Sequence, residues 1–210
     1  KQVLEPHGIW YTPVTGIWQT VWIEPVPAAN RIEGITTRSD IRAGVLSVDV
    51  KTARTGSDRV CVTLSADGKT LAERSSMAGQ PVHLAVEHPR LWSPDDPYLY
   101  DLTVTLVRDG RVIDRAESYA ALREIATGRD ANGIERMTLN GRPLFHFGPL
   151  DQGWWPDGLY TAPTDEALLY DIRFTKQLGF NMIRKHIKVE PERWYWHCDR
   201  EGILVWQDMP

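Results

Sequence analysis

Between residues 31 and 119, apolar and polar positions alternate in short runs separated by turn residues. An extended strand sends successive side chains to opposite faces, so each such run offers one apolar face to a core. Leu46, Val48 and Val50 alternate with Ser47, Asp49 and Lys51, and Val60, Val62 and Leu64 alternate with Arg59, Cys61 and Thr63. Val82, Leu84 and Val86 make another set, Tyr100, Leu102, Val104 and Leu106 the next, and residues 112–119 the last. Asp67-Gly68 and Asp109-Gly110 predict hairpin turns, because glycine enters positive φ without steric cost. About seven strands over roughly 90 residues suit an immunoglobulin-like β-sandwich.

Beyond Tyr119 the pattern changes. Residues 134–139, the turn Asn140-Gly141 and residues 143–147 read as a hairpin leading into a buried strand. A loop of about 13 residues follows, long enough to suggest more than a connection. Thr164 then sits as an N-cap before Asp165 and Glu166, and Leu168, Leu169, Ile172 and Leu178 give that helix an apolar side before Gly179 ends it. Residues 180–183 predict a short strand, residues 190–200 a second helix with Pro191 in its first turn and Gly202 at its close, and residues 203–206 a third strand. Strand and helix in alternation with short connections is the pattern of a parallel sheet covered by helices. The expected fold is therefore mainly β, then α/β: a sandwich followed by the first three βα elements of an incomplete TIM (β/α)8 barrel, which needs eight strands.

Composition narrows the partners. Hydrophobic residues are 42% and charged residues 25%, ordinary globular usage, and 24 basic against 28 acidic side chains are interspersed rather than gathered in blocks. That argues against nucleic acid or an anionic membrane as partner, and no run approaches the roughly 18 apolar residues of a membrane span. The two cysteines, Cys61 and Cys198, are far apart and read as buried thiols rather than a disulfide or metal site. Nine tryptophans against four phenylalanines is the unusual ratio, and several stand beside Gly, Pro and Asp in loops, where an indole can be a contact surface.

In β/α barrels the reacting groups stand at the carboxyl ends of strands. Asp151 is expected just after the first strand, with Trp154 and Trp155 on the same loop. Arg184 and His186 end the second strand and face one way, Lys185 faces the other, and Gln207 and Asp208 end the third. Arg184 suits a sugar hydroxyl or a carboxylate, or else pairs with Asp151 or Asp208 inside the fold. Trp154 and Trp155 suit a pyranose platform or a loop anchor. Asp151, Asp157 and Asp208 invite a paired-carboxylate reading, while His146 reads as a core-satisfied residue within the first strand and His197 as a surface or packing residue of the second helix. No phosphate loop, nucleophile elbow or zinc-protease helix motif occurs, and no cofactor is expected.

With these residues in place, the chain resembles glycoside hydrolase family 2, the group of β-galactosidases, β-glucuronidases and β-mannosidases. Gly16-Ile17-Trp18-Gln19 with Val21-Trp22-Ile23-Glu24 resembles the last strand of that family's sugar-binding jelly roll. Leu91-Trp92-Ser93-Pro94 followed by Pro97-Tyr98-Leu99-Tyr100 is similar to its LWSP signature. Leu122-Arg123 resembles its Phe-Arg step, with Ala121 in place of the usual Gly, and Asn140-Gly141-Arg142-Pro143 with Gly148 resembles its hairpin into barrel strand one. Asn181, Arg184 and His186 resemble its second-strand motif, although the His comes one residue early, and residues 202–208 resemble its third strand.

The resemblance implies three parts: residues 1–25 ending a jelly roll, 26–125 an immunoglobulin-like sandwich, and 126–210 the start of a catalytic barrel. It implies a carbohydrate substrate, the remaining domains of the same enzyme as partners, a periplasmic or secreted setting, and Asp151, Trp154, Arg184, His186 and Asp208 as substrate-binding residues. A retaining mechanism needs two Glu about 5 Å apart. The family places both beyond Pro210, so the chain is expected to be inactive alone, with a non-catalytic carbohydrate-binding or structural sandwich as the alternative.

Overall fold

Each alternating run forms a strand, and its apolar positions are buried except in the last, where Val112 is exposed and Ile113 half-buried. In a computed structural model describing residues 2–210, β1 (Ile32–Asp40), β2 (Val45–Thr52), β3 (Arg59–Ala66), β4 (Lys69–Met77), β5 (Val82–Ala85), β6 (Tyr100–Arg108) and β7 (Arg111–Ala120) form two antiparallel sheets, ordered β1-β2-β5 and β4-β3-β6-β7. Leu46, Val48 and Leu84 of the first sheet and Val62, Leu64, Val104 and Leu106 of the second share one core and are wholly buried. The predicted turns hold: Asp67 and Gly68 have φ of 51° and 73°, and Asp109 and Gly110 have 49° and 74°. At one end of this core the buried Asp58 carboxylate takes two hydrogen bonds from Arg108, at 2.6 and 2.8 Å, and one from the Asn30 amide at 2.6 Å. These bonds hold its pKa down at about 2.

A second small sheet, β10-β9-β8, joins β8 (Ile125–Arg129), β9 (Glu135–Leu139) and β10 (Arg142–Pro143). The Asn140-Gly141 hairpin forms as expected. Asn140 also accepts from the Glu124 N–H at 3.0 Å and donates to the carbonyl of Trp92 at 3.0 Å, and the Trp92 ring is fully buried. The buried strand expected over residues 143–147 does not form: Arg142 and Pro143 pair with β9, the Leu144 N–H adds one bond to the Met137 carbonyl at 3.0 Å, and Phe145 and Phe147 are exposed. The chain instead meets its next backbone partner at Phe147. The Asn181 side chain accepts from the Phe147 N–H at 2.9 Å, and the Asn181 N–H donates to the Phe147 carbonyl. Gly148 then passes so close to β12 (Met182–Lys185) that a Cβ would lie 1.6 Å from the Met182 carbonyl oxygen. Strand pairing begins only at β11 (Leu150–Asp151).

Two compact units result, Glu24–Phe145 and residues 2–23 with His146–Pro210. The latter contains β11, α1 (Asp165–Gln177), β12, α2 (Glu192–Glu201) and β13 (Leu204–Gln207), with the strands parallel in the order β11-β12-β13. The Thr164 hydroxyl caps α1 by accepting from the Ala167 N–H at 3.1 Å, and Gly202 ends α2 in the left-handed region. Leu168 and Ile172 of α1 pack with Ile183, Trp194, Cys198 and Ile203. Leu178 is exposed, because it is the C-cap residue beyond the buried turns. Helix α2 begins two residues later than the sequence suggests: Pro191 is its N-cap, and Glu190 lies ahead of it, buried. Both cysteines are free thiols, Cys198 buried and Cys61 half-buried. Among the described residues no helix is long and apolar enough to cross a membrane.

Candidate functional site

Register sorts the strand-end residues between two faces. Asp151, Lys185 and Gln207 are neighbours across the parallel sheet, as are Leu150, Arg184 and Trp206. Side chains in register share a face, and Ile183, two residues before Lys185, lies in the core with both helices. Asp151, Lys185 and Gln207 therefore face the helices, while Arg184, Trp206 and, two residues on in each strand direction, His186 and Asp208 face away from them.

On that open face Arg184 holds Asp208 with two hydrogen bonds, Nε to Oδ1 at 3.2 Å and Nη2 to Oδ2 at 3.0 Å. The guanidinium keeps the Asp208 carboxyl below its ordinary range. His186 Nε2 lies 3.9 Å from Asp208 Oδ2, and its Nδ1 is buried with no hydrogen-bond partner among the described residues. His146, expected inside the first strand, instead precedes β11 and is half-buried; it accepts the Trp206 indole N–H at 2.8 Å, and burial lowers its pKa. Of the two partners expected for Arg184, the structure selects Asp208. Asp151 is corrected in position: it is the last residue of β11 rather than a residue after the strand, and it faces the opposite side.

The helix-facing side holds a cluster of buried charges. The Lys185 ammonium lies 2.6 Å from Asp151 and 2.9 Å from Glu190, and 4.3 Å over the Trp194 ring. Lys188 Nζ lies 3.0 Å from Glu190 and donates to the Gly153 carbonyl at 2.7 Å and the Tyr160 carbonyl at 2.8 Å. Lys185, Lys188 and Glu190 are each at most 4% exposed. Burial lowers the Lys188 pKa, against the opposing pull of Glu190. Sequence reasoning singled out neither Lys188 nor Glu190. The available signal was Lys185 itself, since a lysine that alternation turns toward a helix layer must find a carboxylate there.

Trp154 projects from the loop after β11. Tyr11 stacks on one of its faces, with ring centroids 4.5 Å apart and planes 12° from parallel, and the Tyr11 hydroxyl bonds Gln152. Tyr160 meets its edge at 5.8 Å. Trp155 turns instead toward the helix core, so the two tryptophans do not form a joint platform. The loop closes on itself through reciprocal hydrogen bonds between Trp155 and Leu159 at 2.7 and 3.0 Å, and the Asp157 carboxylate accepts from the Gly158 N–H at 2.8 Å. Tyr11, Gln152, Trp154, Tyr160, His186 and Ile187 line a cleft of about 330 Å³ at the strand ends. His197 is buried, 3.0 Å from Asp165, and serves packing as expected.

A β-rich unit joined in sequence to parallel β/α repeats, with aromatic and charged groups gathered at the strand ends, has clear relatives. Residues 30–123 match the profile of Glycosyl hydrolases family 2. A provisionally named β-glucuronidase of Formosa agariphila is 30% identical over 98% of this chain and 20% of its own length. A β-galactosidase of Halalkalibacterium halodurans is 25% identical over 98% of this chain and 20% of its own. The crystal structure of Ruminococcus gnavus β-glucuronidase superposes with a TM-score of 0.74 at 22% identity, covering 86% of this chain and 30% of that one. Residues 30–123 thus carry the profile of glycosyl hydrolase family 2, and the chain as a whole is similar to glycosidases of that kind. It spans about a fifth of the length of these curated relatives.

Proposed function

We propose that the chain is part of a retaining β-glycosidase in which the antiparallel sheets form an immunoglobulin-like support and the parallel unit begins a (β/α)8 barrel. The observation that carries the reading is the convergence of Arg184, His186 and Asp208 at the strand ends, beside the cleft walled by Trp154 and His186. Indole stacks on the C–H face of a pyranose, and the charged groups suit its hydroxyls or a uronate. The role of this chain is to bind and orient sugar rather than to cleave it. Retaining cleavage requires a proton donor with a raised pKa opposite a nucleophilic carboxylate about 5 Å away. Asp208 is held ionised by Arg184, and Asp151 sits on the other face of the sheet paired with Lys185. Neither suits the donor role, and the family resemblance implies that both reacting Glu lie outside these 210 residues.

The relatives' names make β-galactosides and β-glucuronides the first candidates. The test compares this chain with a longer one, carried through a full barrel, on aryl β-galactosides, glucuronides, mannosides and glucosides. Cleavage by the longer chain alone supports the reading, and the preferred glycoside names the sugar. Hydrolysis by the 210 residues, with contaminating glycosidase excluded, sinks it.

A further inference from the structure

We propose that Lys188 is a positioning residue for the sugar cleft: its ammonium ties Gly153 to Tyr160 and so fixes Trp154 on one wall while holding Ile187 and His186 on another. The inference rests on the sugar-binding reading above. An ammonium has three protons to donate, and here they meet the Gly153 carbonyl at 2.7 Å, the Tyr160 carbonyl at 2.8 Å and Glu190 at 3.0 Å. Gly153 and Tyr160 bracket the loop that carries Trp154, so one buried group closes both of its ends. The rings of Tyr160 and Trp18 cover the same ammonium at 4.6 and 5.1 Å.

Two backbone features show how tightly this arrangement is specified. Ile187, next to Lys188, has φ of 51°, a left-handed conformation that costs a β-branched residue free energy and persists only where the surroundings enforce it. That conformation sets Ile187 beside His186 in the cleft lining. Gly153 has φ of 61°, and a Cβ there would lie 2.5 Å from Glu190 Oε1 and 2.7 Å from Lys188 Cδ. The loop backbone thus lies against the lysine with no room for a side chain. Neither Lys188 nor Gly153 is asked to touch sugar. Both act through the walls they hold.

The experiment has two arms. In the 210-residue chain, hydrogen exchange is followed at the Trp155, Leu159 and Thr161 amides, which bond within the loop, with amides of β3 and β6 as internal reference. Lys188→Met is expected to speed loop exchange by about tenfold or more while the reference amides hold their rates. Gly153→Ala, which presses on the same lock from the other side, is expected to do likewise and keeps the test decisive should Lys188→Met fold poorly. Unchanged loop exchange in both variants overturns the proposal. In a longer chain that cleaves an aryl glycoside, Lys188→Met is expected to raise KM about tenfold and leave kcat within about threefold, since a loosened binding wall weakens ground and transition states alike. A fall in kcat with unchanged KM overturns the positioning role. If the wild-type longer chain cleaves none of the glycosides, the sugar reading fails, while loop exchange still decides whether the lock exists.

Discussion

Arg184 and Asp208 form a two-bond pair across neighbouring parallel strands, on the sheet face that the helices leave uncovered. The planar guanidinium matches both carboxylate oxygens, a match that an ammonium cannot make. Arg184→Lys should therefore keep the charge and lose the geometry. In a longer, glycoside-cleaving chain, kcat/KM is expected to fall about tenfold or more. The melting temperature of the 210-residue chain should hardly move, because Arg184 is half exposed and such pairs add little stability. A large loss of melting temperature with activity intact would reverse the assignment.

Lys185 is the converse case, buried on the opposite face between Asp151, Glu190 and the Trp194 ring. Lys185→Met removes the charge that compensates two carboxylates and should cost about 3 kcal/mol in urea denaturation. Asp151→Asn, which leaves Lys185 its Glu190 partner, should cost less. Equal losses from the two variants would show that Glu190 is not the main partner.

Asp58 links stability to acid. Its pKa is about 2 in the fold against 3.8 as the ordinary value, so the unfolded chain takes up the proton first as pH falls. The stabilisation, about 1 to 2 kcal/mol, is complete above about pH 4 and disappears toward pH 2. Asp58→Asn should flatten that part of the stability profile and destabilise the chain at neutral pH, where Arg108 loses its carboxylate. An unchanged slope between about pH 4 and 2 in urea titrations would assign the acid sensitivity to other carboxylates.

Trp92 lies within the signature segment yet is wholly buried, with Arg123 4.5 Å over its ring and Asn140 bonded to its carbonyl. It anchors its unit and cannot meet a sugar. Trp92→Ala should cost about 3 to 5 kcal/mol, and Asn140→Ala less. Loss of glycan binding by Trp92→Ala at unchanged stability would contradict this placement.

Much of the fold was legible because its elements obey local rules. The alternation through Leu46, Val62 and Val104 requires a strand wherever it occurs, the Asp-Gly pairs require their turns, and Thr164 and Gly202 bound helices whose apolar positions recur at helical spacing. The opposed directions of Arg184 and Lys185 likewise follow from the period of a strand. Residues 143–147 misled, since an apolar run reads as a buried strand although the chain there is held by the Asn181 side chain and leaves Phe145 and Phe147 exposed.

The sequence by itself thus determined the order and type of most elements and the family they resemble, because periodicity, turn chemistry and motif are properties of neighbouring residues. Only the tertiary structure decided that Asp151 serves Lys185 rather than Arg184, that Tyr11 stacks on Trp154, and that Glu190 lies buried between two lysines. Those contacts join segments up to about 140 residues apart, set by strand register and loop closure. A buried charge, moreover, takes the partner that the packed chain brings within about 3 Å, which spacing along the sequence does not encode.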